Sequence, residues 1–238
     1  MKSPPNLTKR LILFPQDKGG IGKSFVATLL YDYLREHEVE LKTFDLDSAN
    51  STFKRYVPAA EFINTDVDAS KLGVLDQLVS AFDTADTVLA DNRAAGGRKI
   101  LRYIDDTRLT EAQTEARFTL VFVVIAVDDK DANSQIAEIV DTYAGRVRWL
   151  LVRNYRDGGN LALFEQSNAR KKLAELGAVE VNLPSLVEVT RNRLQQANLT
   201  VGMGRTAPKL PVLDRSRCLK YHADDATEFA KAGDLLLG

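Results

Sequence analysis

The stretch Leu11-Ile12-Leu13-Phe14-Pro15-Gln16-Asp17-Lys18-Gly19-Gly20-Ile21-Gly22-Lys23-Ser24-Phe25-Val26-Ala27 decides the fold. A short apolar run, fit for a buried strand, leads through glycines into a segment from Ser24 to His37. There Phe25, Val26, Leu29, Leu30 and Tyr33 share one helical face. Strand, glycine loop and helix in that order make an anion cradle, because the helix presents unpaired N–H groups and its positive dipole end to the loop. The segment ends in Gly-Lys-Ser and follows G-x-x-x-x-G-K-[ST], except that Asp17 takes the first glycine position. Asp tolerates left-handed backbone better than most residues, so the exchange is permissible. Gly19, Gly20, Ile21, Gly22, Lys23, Ser24 and Phe25 are the candidate phosphate and nucleotide cradle. Lys23 is placed to reach β- and γ-phosphates, and the Ser24 hydroxyl to ligate Mg²⁺.

Outward from this loop, apolar runs alternate with helical periods, the pattern of βαβ units and a mainly parallel sheet flanked by helices on both faces. Strands are expected at Leu11 to Phe14, Leu41 to Asp45, Val88 to Asp91, Phe118 to Val127, Val147 to Val152 and Val179 to Leu183. The run Phe118 to Val127 is almost continuously apolar, which predicts burial on both faces and the middle of the sheet. Helices are expected from Asp68, a plausible N-cap, through Phe82; around Ile136 to Tyr143; from Leu161 to Leu176; and from Leu186 to Asn198. Beyond Gly202 the pattern weakens before an acidic helical tail from Ala223. The expected organisation is one α/β domain over residues 1–238, with 205–238 a variable C-terminal extension.

Thirty-two Lys and Arg against thirty-three Asp and Glu leave a formal charge of -1, so no global field draws the chain to nucleic acid or an anionic membrane. No apolar run approaches the roughly 20 residues of a spanning helix, and no signal peptide is read. One cysteine, Cys218, and two histidines, His37 and His222, give neither a disulfide nor a zinc or iron–sulfur spacing. A reducing cytoplasm is the expected compartment.

Carboxylates at the C-terminal ends of parallel strands point into the crevice where such sheets bind ligands. Asp45, Asp47 and Asp91 are in that position. Hydrolysis of a nucleoside triphosphate asks the protein to position water, hold Mg²⁺ and neutralise developing charge. Ser24, Asp45 and Asp91 are the candidate metal group, Asp47 the residue to orient water, and Lys18 an extra cation. Asn154-Tyr155-Arg156-Asp157 invites comparison with the guanine-reading Asn-Lys-x-Asp, but Tyr155 replaces the lysine.

Lys18-Gly19-Gly20-Ile21-Gly22-Lys23-Ser24 resembles the deviant Walker A loop of the ParA/MinD ATPases. Phe44-Asp45-Leu46-Asp47-Ser48-Ala49-Asn50 resembles their switch I, and Leu89-Ala90-Asp91-Asn92-Arg93-Ala94-Ala95-Gly96 their Walker B strand and switch II. The last of these departs from the usual Asp-x-Pro-x-Gly by an added residue and a missing proline. The resemblance implies an ATPase that binds ATP and Mg²⁺ and forms a homodimer on ATP. In it Lys18 reaches the partner's nucleotide, Asp47 assists hydrolysis and Asp91 holds Mg²⁺ through water. It also implies that Asn154 contacts adenine and that Asn182-Leu183-Pro184 closes over the base. Sequence alone leaves open whether Lys18 serves its own site instead.

Within that family, one cysteine argues against the iron–sulfur and zinc-bearing branches, and the acidic tail against a membrane-anchored one. The resemblance at Lys23 to Ala27, Asp47 to Phe53 and Asp91-Asn92 is closest to the TraL/VirC1-type conjugation accessory ATPases. A partition ATPase that binds DNA non-specifically is the alternative, through Arg170-Lys171-Lys172, Arg191 with Arg193, or Arg215 with Arg217. A nucleotide-gated scaffold that does not hydrolyse is the alternative of another class. A stimulating or recruited protein partner is expected, and no membrane.

Overall fold

Strand β1 (Lys9–Leu13) lies between two parallel neighbours, and this placement organises the molecule. In the computed structural model, which describes residues 8–48, 51–67, 69–156 and 159–238, Leu11 is in register with Val88 of β4 (Thr87–Asp91) and Leu120 of β5 (Phe118–Ala126). Adding β2 (Leu41–Asp45), β3 (Glu61–Phe62), β6 (Arg148–Asn154) and β7 (Val179–Leu183) gives a seven-stranded, all-parallel sheet of order β3-β2-β4-β1-β5-β6-β7. The midpoint is therefore β1. The long apolar β5 is beside it, fully buried along its nine residues, so its composition reported two-sided coverage rather than the central place.

Alternation along the strands divides the core in two. Ile12, Val121, Val123 and Ile125 face α1 (Lys23–Glu36) and the C-terminal helix α11 (Val212–Ala230). Leu11, Leu13, Phe122 and Val124 face α4 (Gly97–Asp106), α6 (Lys130–Tyr143) and α8 (Asn168–Glu175). Both faces of a parallel sheet are thus covered, as its strand composition requires.

Several helices differ from the periodic reading. Asp68, expected as an N-cap, lies outside the described residues. The stretch after it winds as a 3₁₀ segment Ala69–Leu75, a short α3 (Asp76–Ser80) and a second 3₁₀ turn Ala81–Asp83. Leu75, Leu78 and Phe82 still reach the core, while Gly73 and the β-branched Val74 lower the propensity for one regular helix. Leu161 to Leu176 is two helices, α7 (Ala162–Glu165) and α8, because the Ser167 hydroxyl accepts from the Arg170 N–H and starts the second. Helices α2 (Thr52–Tyr56), α4 and α5 (Leu109–Ala116) have no counterpart in the periodic reading. α9 (Glu188–Ala197) and the short α10 (Val201–Gly204) precede α11.

The C-terminal part is body rather than tail. α11 is one 19-residue helix that buries Cys218, Tyr221, His222, Asp225 and Phe229, so the acidic segment from Ala223 is its second half. The closing α12 (Gly233–Leu236) is pinned by the fully buried Arg10 of β1, whose Nε donates to the Leu235 carbonyl at 2.8 Å. Among the described residues no helix is long and apolar enough to cross a membrane.

Candidate nucleotide site

The loop from Asp17 to Ser24 leaves the C-terminal end of β1 and is held from three sides. Gln16 is buried, accepting from the Ile125 N–H (2.6 Å) and donating to the Ile125 carbonyl (3.1 Å), which ties it to β5. Gln135 of α6 accepts from the N–H groups of Asp17 (3.1 Å) and Lys18 (2.9 Å). Asn154, at the end of β6, donates through Nδ2 to the Ile21 carbonyl at 3.0 Å. Gly20 and Gly22 have φ of +72° and +101°, and a Cβ on Gly22 would approach Asn154 Nδ2 to 2.6 Å, so this turn needs glycine on two grounds. Asp17 itself is not left-handed. Its carboxylate instead receives the Arg98 N–H (3.0 Å) and Nε (2.9 Å) at the start of α4, so it is an anchor rather than a tolerated substitute.

Lys23 is buried at the head of α1 and donates from Nζ to the Lys18 carbonyl at 2.7 Å, across the loop. Burial holds its ammonium below the usual value, against the pull of Asp91, Asp17 and Asp47. Asp91 faces Asp45 across the β2–β4 register. Its carboxylate is fully buried, and neither oxygen has a hydrogen-bond partner. Burial pushes it up to about 7; the nearby Ser24 hydroxyl and Lys23 oppose this, while Asp45 and Asp47 add to it. An unpartnered buried carboxylate next to a serine hydroxyl and under a phosphate-type loop suits a hydrated divalent cation. No cluster of three His, Cys, Asp or Glu that could hold a metal ion is formed among the described residues.

Asp45 shapes the turn into α2: its Oδ1 accepts from the Asp47 N–H (2.8 Å) and its Oδ2 from the Lys54 N–H (2.7 Å). Asp47 is buried and lines the same cavity as Lys23 and Ser24. Ala49 and Asn50, and Asp157 of the Asn-Tyr-Arg-Asp segment, lie outside the described residues. Lys18 turns away from its own loop: Nζ is 3.1 Å from Asp131 and 3.3 Å from Asp129, at the start of α6. Those carboxylates hold its ammonium above the usual value, the bond to Asp131 first.

After Asp91 the chain packs close to the loop. The Ala95 N–H donates to the Asp17 carbonyl (2.9 Å), a Cβ on Gly19 would be 3.1 Å from Ala94 Cβ, and one on Gly97 would collide with the Pro15 carbonyl. The paired Gly96 and Gly97 thus supply the close approach that the added residue had put in doubt.

No family model matches the chain. Solved structures share its architecture over nearly its whole length. The ParA family ATPase from Chlorobium tepidum is 12% identical and covers 94% of this chain and 99% of its own, with a TM-score of 0.51. For the septum site-determining protein MinD with Mg-ADP from Pyrococcus horikoshii the values are 12%, 97%, 99% and 0.57. For the MinC:MinD complex from Aquifex aeolicus they are 11%, 93%, 96% and 0.55. The chain has the ParA/MinD ATPase fold. In sequence it is 23% identical over 219 residues to Protein MobD from Acidithiobacillus ferrooxidans, across 90% of this chain and 94% of MobD.

On this ParA/MinD fold, two adjoining cavities flank the loop. One of about 440 Å³ is bordered by Gly19, Lys23, Ser24, Asp47, Arg93 and Arg191. The other, about 310 Å³, is bordered by Gly22, Phe25, Asn154, Pro184, Leu186 and Arg191. Phe25 and Pro184 give the second an apolar wall, and the Pro184 carbonyl is fixed by the Tyr221 hydroxyl at 2.9 Å. Asn154 borders it while its amide is engaged by the loop, so it is a brace first. Arg191, Gln135 and the Asp129/Asp131 pair were not assigned to the loop from sequence. The carboxylates that follow the longest strand were the one available signal, since that strand ends beside β1.

Among the described residues four cations of the three basic clusters pair with carboxylates. Arg170 pairs with Glu180 (2.9 Å), Lys172 with Asp141, and Arg193 and Arg217 with the buried Asp214. Arg215 donates to the Leu210 carbonyl.

Proposed function

We propose that this chain is an ATP-binding and hydrolysing switch of the ParA/MinD kind that dimerises on Mg-ATP and serves a conjugative transfer or mobilisation process. The observation that carries the reading is the buried, unpartnered Asp91 carboxylate beside Ser24 and Lys23 under a braced glycine loop. The mobile-DNA part rests on the switch-segment resemblance and on MobD, which aligns with nearly the whole chain.

In this mechanism the N–H groups from Gly19 to Phe25 receive the phosphates, and Lys23 exchanges the Lys18 carbonyl for β- and γ-phosphate oxygens. Ser24 and Asp91 would hold a Mg²⁺ ion brought with the nucleotide. Such an ion would supply neutralisation of the phosphate charge. Asp47, held by Asp45 through its N–H, orients the attacking water. The base lies in the smaller cavity against Phe25 and Pro184. Lys18, already turned outward on Asp129 and Asp131, is available to a nucleotide on a second copy.

Light scattering of wild type and Lys18→Ala, each without nucleotide, with ADP and with ATP plus Mg²⁺, tests this reading. A dimer for wild type with ATP alone, and none for Lys18→Ala, is the expected result. A monomer in every state, with ATP bound, would replace the switch by the scaffold reading. The pairing of Arg170, Lys172, Arg193 and Arg217 with carboxylates favours a protein partner over direct, non-specific DNA binding. Salt-sensitive, ATP-dependent retention on duplex DNA would reverse that preference.

A further inference from the structure

Arg93 stands where the resemblance expects proline, two residues past Asp91, and its guanidinium is held as a fork by Asp66. NH2 is 2.8 Å from Oδ1 and NH1 is 2.8 Å from Oδ2. NH1 also donates to the Ser48 hydroxyl at 3.1 Å, and that hydroxyl donates to Asp66 Oδ2. Lys99 of α4 is a second cation on the same carboxylate, 3.0 Å from Oδ1, with Nζ also 2.7 Å from the Thr65 carbonyl. One aspartate therefore joins the segment carrying Asp47 to the segment carrying Asp91. Arg93 meanwhile borders the larger cavity together with Gly19, Gly20, Lys23, Ser24 and Asp47.

We propose that Arg93 is a γ-phosphate-binding residue that leaves Asp66 for the terminal phosphate of a bound nucleoside triphosphate, and so releases Ser48 and the neighbouring Asp47 from the latch. This rests on the nucleotide reading above. The chemistry of the exchange is like for like, because a guanidinium fork fits two carboxylate oxygens or two phosphate oxygens equally well. The two sides of the exchange are unequal in strength. Asp66 is 42% exposed, so solvent and salt screen its hold on Arg93 even in the bidentate arrangement. A phosphate in the partly enclosed cavity carries more charge and is less screened. Lys99 stays on Asp66 when Arg93 departs, so the carboxylate keeps a counter-charge. A diphosphate lacks the group that competes, so the latch distinguishes the two nucleotides without touching base or sugar.

The test is a titration of wild type, Arg93→Ala, Arg93→Lys, Asp66→Asn and Arg93→Ala/Asp66→Asn with the β,γ-imido analogue of ATP and with ADP, each with Mg²⁺, by calorimetry. Arg93→Ala should weaken the triphosphate analogue about tenfold, the scale of one charge-assisted pair, and leave ADP unchanged. Arg93→Lys keeps the charge without the fork and should fall between. Asp66→Asn should tighten the triphosphate analogue severalfold, and only while Arg93 is present. An unchanged ratio of triphosphate to diphosphate affinity in both Arg93 variants overturns the proposal while wild-type binding keeps the site. So does an Asp66→Asn effect that persists without Arg93. Failure of wild type to bind either nucleotide would instead remove the nucleotide reading itself. Should Arg93→Ala not fold, Arg93→Lys and Asp66→Asn decide the matter.

Discussion

At the scale of single residues, Gly22 and Asn154 show how little freedom the loop has. An alanine at 22 would combine a left-handed φ with a methyl group on the Asn154 amide, and that amide is what holds the Ile21 carbonyl. Gly22→Ala is expected to cost about 1–3 kcal/mol in stability. It should also weaken Mg-ADP binding more than tenfold, as read by thermal melts and calorimetry. A second residue-scale prediction concerns Asp225, buried between α11 and α1 among Asp32, Glu36, His222 and Arg205. Burial pushes Asp225 up to about 8 and Asp32 up to about 6, the latter against hydrogen bonds from the Thr200 hydroxyl and the Gly202 N–H. In the unfolded chain both ionise near pH 4. Between pH 4 and 8 the folded state then holds more protons than the unfolded state, so stability falls as pH rises through that window. Wild type should melt several degrees lower at pH 8 than at pH 5, and Asp225→Asn should flatten that slope. Lys23, Ser24, Asp47 and Asp91 were legible in the sequence, because a motif and strand ends announce them. Asp45 was legible as a position, while its bonds to the Asp47 and Lys54 N–H groups were not, since which backbone N–H a carboxylate accepts depends on a turn whose path has no periodic signature.

At the scale of elements, the loop is only as rigid as the helices and strand ends that brace it. Gln135 reaches back from α6 to accept two N–H groups, from Asp17 and Lys18. Replacing it with alanine leaves both donors without that acceptor, and Gln135→Ala is expected to destabilise by about 1–3 kcal/mol. Hydrogen exchange should show the loss concentrated at residues 17–20, with the far strands β2 and β7 unchanged. Those two strands were readable to the residue, Leu41–Asp45 and Val179–Leu183, where β-branched and apolar residues are interspersed with polar ones over five residues. α4 was not readable. It opens on Gly96 and Gly97, which normally mark a loop, yet here they allow the helix to start against the Pro15 carbonyl, with Asp17 taking up the Arg98 N–H. The tightly wound stretch from Ala69 to Asp83 kept its apolar spacing and lost its regular form, so the face was predictable and the helix was not.

At the scale of the whole molecule, the sheet is sealed on the α1 side by the segment that looked most like an appendage. α11 and α12 contribute Cys218, Tyr221, Phe229, Leu235 and Leu236 to the core, and Arg10 fastens α12 to the central strand. A chain stopped after Pro211 should lose its cooperative melt and expose apolar surface to a hydrophobic dye. Retention of the wild-type melt would show α11 to be dispensable. A mainly parallel sheet with two covered faces followed from the alternation of apolar runs with helical periods, and the structure makes every strand pairing among the described residues parallel. The place of β1 did not, because strand order is set by connections that leave no local pattern. That central place has a consequence in time. The strand that leads into the phosphate loop is synthesised among the first, but its two neighbours arrive some 75 and 110 residues later, and the helix that locks its base comes after residue 232. A ribosome making this chain therefore displays the loop well before Gln135 and Asn154, the side chains that brace it, have been made.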